Sequence, residues 1–124
     1  MTLHISAEQM EQYKRTARLR WEQEQEQREK RREIAWELAR RAAKLLKKEY
    51  NAQQVVLFGS VIDSSRFTIW SDVDLAAWGL TSANWLRAIA AVRDLSGEIE
   101  LNLVDVNCCS PELLKVIEQE GVPL

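Results

Sequence analysis

The chain has 124 residues, of which 46% are hydrophobic and 29% charged, and its net charge is −2. This length and composition are typical of one soluble globular domain with a modest core. No apolar run approaches the roughly 18 to 20 residues of a membrane span, and no secretory signal is seen, so we expect a cytoplasmic protein.

The charge is distributed unevenly along the chain. Residues 1–50 carry 13 Lys and Arg against 9 Asp and Glu, a net of +4, whereas residues 51–124 carry 4 against 10, a net of −6. The acidic half contains the candidate catalytic residues described below, which argues against nucleic-acid binding through that face. We therefore expect no direct nucleic-acid partner.

A long helix is predicted for the first part of the chain. No Gly or Pro occurs before Gly59, and residues 6–9 have the pattern of a capping box at a helix start. Strong helix formers continue to about Glu49, which gives a straight helix of roughly 65 Å, so we expect a bend or a break. The amphipathic end of this segment should pack on a sheet. We therefore divide the chain into an N-terminal helical arm, residues 1–33, and a domain, residues 34–124.

The arm carries an apolar stripe at helical spacing, formed by Met10, Tyr13, Ala17 and Trp21. The next segment, residues 22–33, has no apolar side chain. Its charges predict an exposed helix with i,i+4 charge pairs. Three arrangements stay open for the stripe: docking on a partner or on a second copy, folding back on its own domain, or a loose tail. An oligomer formed through this helix belongs to the first of them.

Two apolar segments flank a polar spacer in the middle of the chain. Residues 55–58 predict a short buried strand, which Gly59 and Ser60 end. The second segment carries Asp72 and Asp74, which share a face because side chains alternate along a strand. Carboxylates this close repel each other unless a cation lies between them, and oxygen ligands suit Mg²⁺. A phosphate can approach the glycine backbone and bind the hydroxyl and free amides, so the segment fits phosphoryl or nucleotidyl transfer.

The remaining elements predict an α/β domain with a small mixed sheet. Helices would cover one face of the sheet, and the other face would be open for substrate. The predicted elements are strands over residues 54–58, 70–77 and 99–106, and helices that start after Ser82 and Ser110 and end at residues 95 and 121. The adjacent cysteines, Cys108 and Cys109, are expected to be reduced thiols.

The Gly59-Ser60 pair and the run Ser71-Asp72-Val73-Asp74-Leu75 together resemble the signature of the DNA polymerase β-like nucleotidyltransferase superfamily. The chain is similar to its smallest branch, the minimal nucleotidyltransferases (MNT), which includes antitoxins encoded beside HEPN-domain toxin ribonucleases. The resemblance covers residues 44–124. The spacer, residues 61–71, is one residue longer than the family commonly has, and it lacks a glycine often found there.

The resemblance implies roles for particular residues. Asp72 and Asp74 would bind Mg²⁺, and Gly59, Ser60 and Ser71 would contact the phosphates of ATP.

The family also places a third carboxylate on the last main strand, as a metal ligand and base. Its pattern, laid over residues 101–105, puts that position at Asn102, whose amide cannot act as a base. If the pattern is shifted by two residues, the acid stays on the same face of the strand and its role falls to Glu100. Either Glu100 takes this role, or the site has only two carboxylates. Asp105 is expected to be a cap or a supporting group.

The activity implied by the resemblance is transfer of AMP from ATP to a hydroxyl, typically of tyrosine, on a HEPN toxin, which is thereby silenced. The alternative is a degenerate transferase that neutralises its partner by binding alone. Asn102 and the spacer favour this alternative, whereas the intact Gly59-Ser60 and Asp72/Asp74 pairs oppose it. Transfer to a small antibiotic is a further reading, weakened by the lack of the extra helical region with which larger members enclose small molecules.

Overall fold

The N-terminal helix is continuous over 43 residues. The structure is a computed structural model that describes residues 4–124; the first three residues of the predicted arm lie outside this range. Helix α1 spans Ala7–Glu49, and the predicted capping box is confirmed, because the Ser6 side chain accepts from Gln9 N and the Gln9 side chain accepts from Ser6 N. Of the expected bend or break, the break is wrong: with no Gly or Pro inside it, the helix runs without interruption.

The C-terminal half of α1 packs on the domain, and its N-terminal half does not. Residues 7–24 are exposed throughout, so the alternative in which the stripe folds back on its own domain is wrong. The buried side of the other half is rich in alanine, which lets the helix approach the sheet closely. Its buried residues are Ala35, Leu38, Ala39, Ala42, Ala43 and Leu46.

The sheet has four strands in the spatial order β3-β2-β1-β4. Strand β1 pairs antiparallel with β2 and β4, and β2 pairs parallel with β3, so the sheet is mixed, as predicted. The predicted bounds of the first strand are confirmed, whereas the next two strands are shorter than predicted and the last was not predicted. The strands are β1 (Gln54–Phe58), β2 (Val73–Trp78), β3 (Leu101–Asp105) and β4 (Val122–Pro123).

One face of the sheet forms the main core with α1 and with helix α2 (Trp85–Arg93). Helix α2 begins later than predicted, and Ser82 is not its cap: the hydroxyl of Thr81 accepts from Asn84 N at 3.2 Å instead. The partly buried Trp85 packs against this core. The strand residues of this face include Val55, Leu57, Val73, Leu75, Ala77 and Leu101.

The second face is partly covered, which corrects the expectation of an open face. Helix α3 (Pro111–Glu120) lies on it, and Ile117 is 1% exposed in a cluster with Val56 and Phe58. The predicted start of α3 is confirmed, because the Ser110 side chain accepts from Leu113 N at 3.2 Å. The uncovered part of this face is the end where β1 stops and β2 and β3 begin. No helix among residues 4–124 is long and apolar enough to cross a membrane.

Candidate active site

The strand register brings the predicted acidic pair next to Asn102. Asp74 pairs with Phe58 on one side and with Asn102 on the other, so the three side chains lie in one row on the second face. Asp72 directly precedes β2, and the backbone bond from Val73 N to Glu100 O at 2.9 Å continues the ladder there. The two aspartates therefore stand at the uncovered end of the sheet, on the common face that their alternation predicts.

Gly59 lies against Asp74 so closely that no side chain fits between them. A Cβ atom on this residue would be 2.5 Å from Asp74 Oδ2, and its φ of +83° is one that other residues rarely adopt. The chain then enters a short 3-10 turn over Ser60–Ile62. The fully buried Val61 anchors this turn, and its carbonyl accepts from Arg32 Nε of α1 at 2.9 Å. The backbone of Gly59 is therefore held beside the acidic pair.

The neutral side-chain amide of Asn102 lies between the two carboxylates. Asn102 Nδ2 donates to Asp74 Oδ1 at 3.2 Å and lies 3.4 Å from Asp72 Oδ2. Burial of the Asp74 carboxyl raises its pKa, and the Asp72 charge adds to this increase, while the bond from Asn102 opposes it. Within residues 4–124, the two ion pairs join other side chains, Lys30 with Glu26 and Arg66 with Asp63. The site therefore carries uncompensated negative charge, which is the condition that favours a divalent cation.

Asp63 organises the spacer in place of the missing glycine. Its carboxylate accepts from Ser65 N at 2.9 Å, Ser65 Oγ at 2.6 Å and Arg66 Nε at 3.1 Å. These bonds, led by the Ser65 hydroxyl, lower the pKa of Asp63. Phe67 follows and is 1% exposed in the main core. The longer spacer is thus a defined turn of the Asx type, pinned by one aromatic residue.

The Ser71 hydroxyl is engaged within the loop. It accepts from Thr68 N at 2.9 Å, and Ser71 N donates to Thr68 O at 3.1 Å. This closed turn presents Trp70 to solvent, with 83% of its surface exposed. The structure therefore shows Ser71 as a residue that shapes the approach to Asp72, and its predicted contact with ATP stays a prediction.

Glu100 lies near the acidic pair but is not gathered with it. Its position is opposite Asp72 in the parallel register, one residue before β3, and its side chain is exposed. Within residues 4–124, no group of three His, Cys, Asp or Glu side chains is close enough to hold a metal ion. Asn102 contacts both aspartates instead, a position that the family overlay had indicated. Asp105 Oδ1 accepts from Asn107 N at 3.0 Å and so caps the turn after β3.

Comparison with known proteins supports the fold. No protein-family model matches the chain, and no curated protein sequence matches it. A crystal structure of a toxin–antitoxin with AMP-PNP contains a chain that superposes with a TM-score of 0.52 and 23% identity, over 64% of this chain and 66% of that one. A chain in a crystal structure of a mutant of the toxin–antitoxin MntA-HpeT superposes with a TM-score of 0.54 and 24% identity, over 68% of this chain and 69% of that one.

The chain therefore has the fold found in these toxin–antitoxin complexes. It spans just under two thirds of the first matched chain and slightly more of the second. The predicted α/β fold class with a long N-terminal helix is therefore confirmed.

Proposed function

We propose that this protein is a nucleotidyltransferase antitoxin that transfers AMP from ATP to a tyrosine hydroxyl of a HEPN-domain ribonuclease toxin and so neutralises it. One observation carries the proposal: the backbone of Gly59 is pressed against Asp74 in the row that also holds Asn102, with Asp72 beside it. A triphosphate can approach this glycine while the two carboxylates face the same space. The toxin–antitoxin structures of the same fold, one of them with AMP-PNP, support it.

The residues present fit a magnesium ion. Asp72 and Asp74 offer carboxylate oxygens at one edge, and the amide between them can turn its oxygen toward a cation, since the two ends of an amide are interchangeable by rotation. When bound there, Mg²⁺ would neutralise phosphate charge and polarise the α-phosphoryl group.

The chain's own residues would orient the reactants and take up the proton. Gly59 and Ser60 would border the β- and γ-phosphates, leaving the α-phosphorus open at the end of the sheet. The acceptor oxygen forms a bond to this phosphorus, the bond to the β-phosphate oxygen breaks, and pyrophosphate leaves. We assign the hydroxyl proton to Glu100, because Asn102 has no site for it and Glu100 is exposed opposite Asp72. Such general-base assistance contributes about 10²–10⁴ in rate.

The test is the intact mass of the purified HEPN toxin after incubation with this protein, ATP and Mg²⁺. We expect a gain of one or more AMP units that is lost with Asp72→Ala and strongly reduced with Glu100→Gln. Glu49→Gln is the matched control, because Glu49 is an exposed acid in the last turn of α1, at the opposite end of the sheet. An unchanged toxin mass with the unaltered protein would contradict the proposal.

A second candidate function is inhibition by binding alone. The specific observation in its favour is Asn102, which occupies the place of the third acid and already satisfies both aspartates. Under this reading, the Asp72→Ala/Asp74→Ala variant would still inhibit the toxin's ribonuclease activity at stoichiometric amounts and without ATP. Under the transferase reading, the same variant would still bind the toxin but leave it active.

A further inference from the structure

The arm projects beyond the end of the sheet that holds the candidate active site. Near its midpoint, α1 is tied to that end: Arg31 Nη2 donates to Glu98 O at 3.1 Å and Arg32 Nε donates to Val61 O at 2.9 Å. Near its other end, Lys47 donates to the carbonyl oxygen of Leu124. The helix N-terminal to Arg31 therefore overhangs the active-site end by about 36 Å.

The arm face, defined as Met10, Tyr13, Ala17 and Trp21, is an uncovered apolar stripe. Met10 is 40% exposed, Tyr13 71% and Trp21 61%, and none of them packs on the domain. Their spacing places all four on one side of the helix, the side that faces the sheet farther along α1. Large aromatic side chains gathered on an exposed helix face are typical of the centre of a protein–protein interface.

The charges beside the arm face favour an acidic protein as its occupant. Residues 12–21 contain no acid and four cations, and within residues 4–124 none of the four forms an ion pair. Two copies paired along this segment would bring these like charges together, which disfavours a second copy. The cations are Lys14, Arg15, Arg18 and Arg20.

Single-stranded RNA fits this segment less well than a protein does. Tyr13 and Trp21 are about 12 Å apart along the helix, too far for successive bases to stack on both. Acidic residues also border the cations on each side, at Glu11 and Glu22. The segment therefore combines a narrow apolar stripe with local positive charge, which suits an apolar groove with acidic edges.

A second apolar surface lies between α1 and the loop that precedes Asp72. Ile34 and Ile69 are 48% and 43% exposed and line one groove with Gln27 and Arg31. Trp70, next to Ile69, is 83% exposed and is separated from Asp72 by one residue. A chain lying along the arm and in this groove would therefore pass beside the loop that leads into Asp72, at the active-site end of the sheet.

We propose that the arm face and the Ile34–Ile69 groove form one docking surface for a protein with an acid-edged apolar groove, which the arm delivers to the active site. The occupant is the toxin substrate of the proposed function, so the inference depends on that function. Docking along the arm positions the acceptor hydroxyl beside Asp72, where an open site would otherwise have little hold on a large substrate.

The experiment compares toxin binding and AMP transfer for full-length variants. Tyr13→Ser/Trp21→Ser should weaken binding of the purified HEPN toxin at least tenfold and raise the KM for toxin while leaving kcat unchanged. Arg15→Glu/Arg18→Glu should have a similar effect and reduce the salt dependence of binding. Leu19→Ser is the matched control: Leu19 is 54% exposed on the opposite side of the helix, so this variant should bind as the unaltered protein does.

The outcomes separate the docking surface from the transfer reaction. Toxin binding unchanged in Tyr13→Ser/Trp21→Ser overturns the docking surface, while AMP transfer by the same protein leaves the proposed function standing. Toxin binding that is lost in this variant without any AMP transfer by the unaltered protein supports the surface and overturns the transfer. A homodimer that this variant dissociates, or an oligoribonucleotide that displaces the toxin from the arm, would also overturn the docking surface.

Discussion

The side-chain amide of Asn102 lies 3.2 Å from a carboxylate oxygen of Asp74 on the neighbouring strand. An amide donates a hydrogen bond there but carries no charge, so it does not neutralise the two acids. The site thus contains two acids, with the neutral Asn102 between them. A third acid at this position would strengthen cation binding, and it would also increase the repulsion among the carboxylates.

Asn102→Asp should therefore make the protein more dependent on magnesium. A third carboxylate next to Asp74 should lower the stability of the metal-free protein by about 1 kcal/mol through like-charge repulsion. Added Mg²⁺ should then raise Tm more than it does for the unaltered protein, as thermal unfolding with and without chelator would show. Asn107→Asp, an exposed position after β3, is the control and should respond little to Mg²⁺. Equal Mg²⁺ responses in both variants would refute this prediction.

Gly59→Ala should damage both the fold and the site. The new Cβ would lie 2.5 Å from Asp74 Oδ2, and alanine would have to adopt φ +83°. We expect a loss of about 1–3 kcal/mol in the free energy of unfolding. We also expect most of the AMP-transfer activity to be lost. Gly97→Ala is a matched control, since a Cβ there meets nothing within 4 Å. If chemical denaturation finds the two variants equally stable, the packing of Gly59 on Asp74 does not exclude a side chain at position 59.

The stability of the metal-free protein should depend on pH through Asp74. Burial raises its pKa above the ordinary 3.8, so the folded protein binds this proton more tightly than the unfolded chain does. Ionised Asp74 therefore lowers stability, and this effect grows as pH rises from 3.8 through the raised pKa. Relative to the unaltered protein, Asp74→Asn should therefore gain stability as pH rises over this range.

Ionised Asp63 has the opposite effect on stability and serves as the comparison for Asp74. Its pKa is lowered, so its bonds stabilise the protein above pH 3.8 and the effect is lost as pH falls through the folded value. Asp63→Asn should therefore lose stability at neutral pH and approach the unaltered protein in acid. Urea unfolding in chelator between about pH 3 and 7 would test both signs. Parallel pH profiles for the two variants would contradict them.

Two serines predicted as helix caps should differ in their effect. Ser110 accepts from Leu113 N at 3.2 Å, so Ser110→Ala should cost about 1 kcal/mol. Ser82 is exposed, and Thr81 accepts the bond at the start of α2 instead, so Ser82→Ala should leave Tm unchanged. A larger loss at Ser82 than at Ser110 would mean that the caps are assigned to the wrong residues.

The sequence indicated the local features of the site better than its distant contacts. The alternation of Asp72 and Asp74 and the break at Gly59 follow from short-range rules, and the structure agrees with both. The bridge from Asn102 depends on the parallel register of β2 and β3, which no local pattern specifies. The coverage of the second face by Ile117 is also a tertiary packing effect, and the strand over residues 122–123 is too short to have a pattern of its own.

The unbroken course of α1 makes the arm a stiff lever whose pivot lies at Arg31 and Arg32. About 36 Å of helix lies beyond this pivot, so a tilt of about 10° moves the tip by about 6 Å. One contact at the pivot is the carbonyl of Val61, two residues after Gly59. A load on the tip is therefore felt as torque on the turn over Ser60–Ile62, and a shift of that turn by a fraction of an ångström swings the tip several times as far.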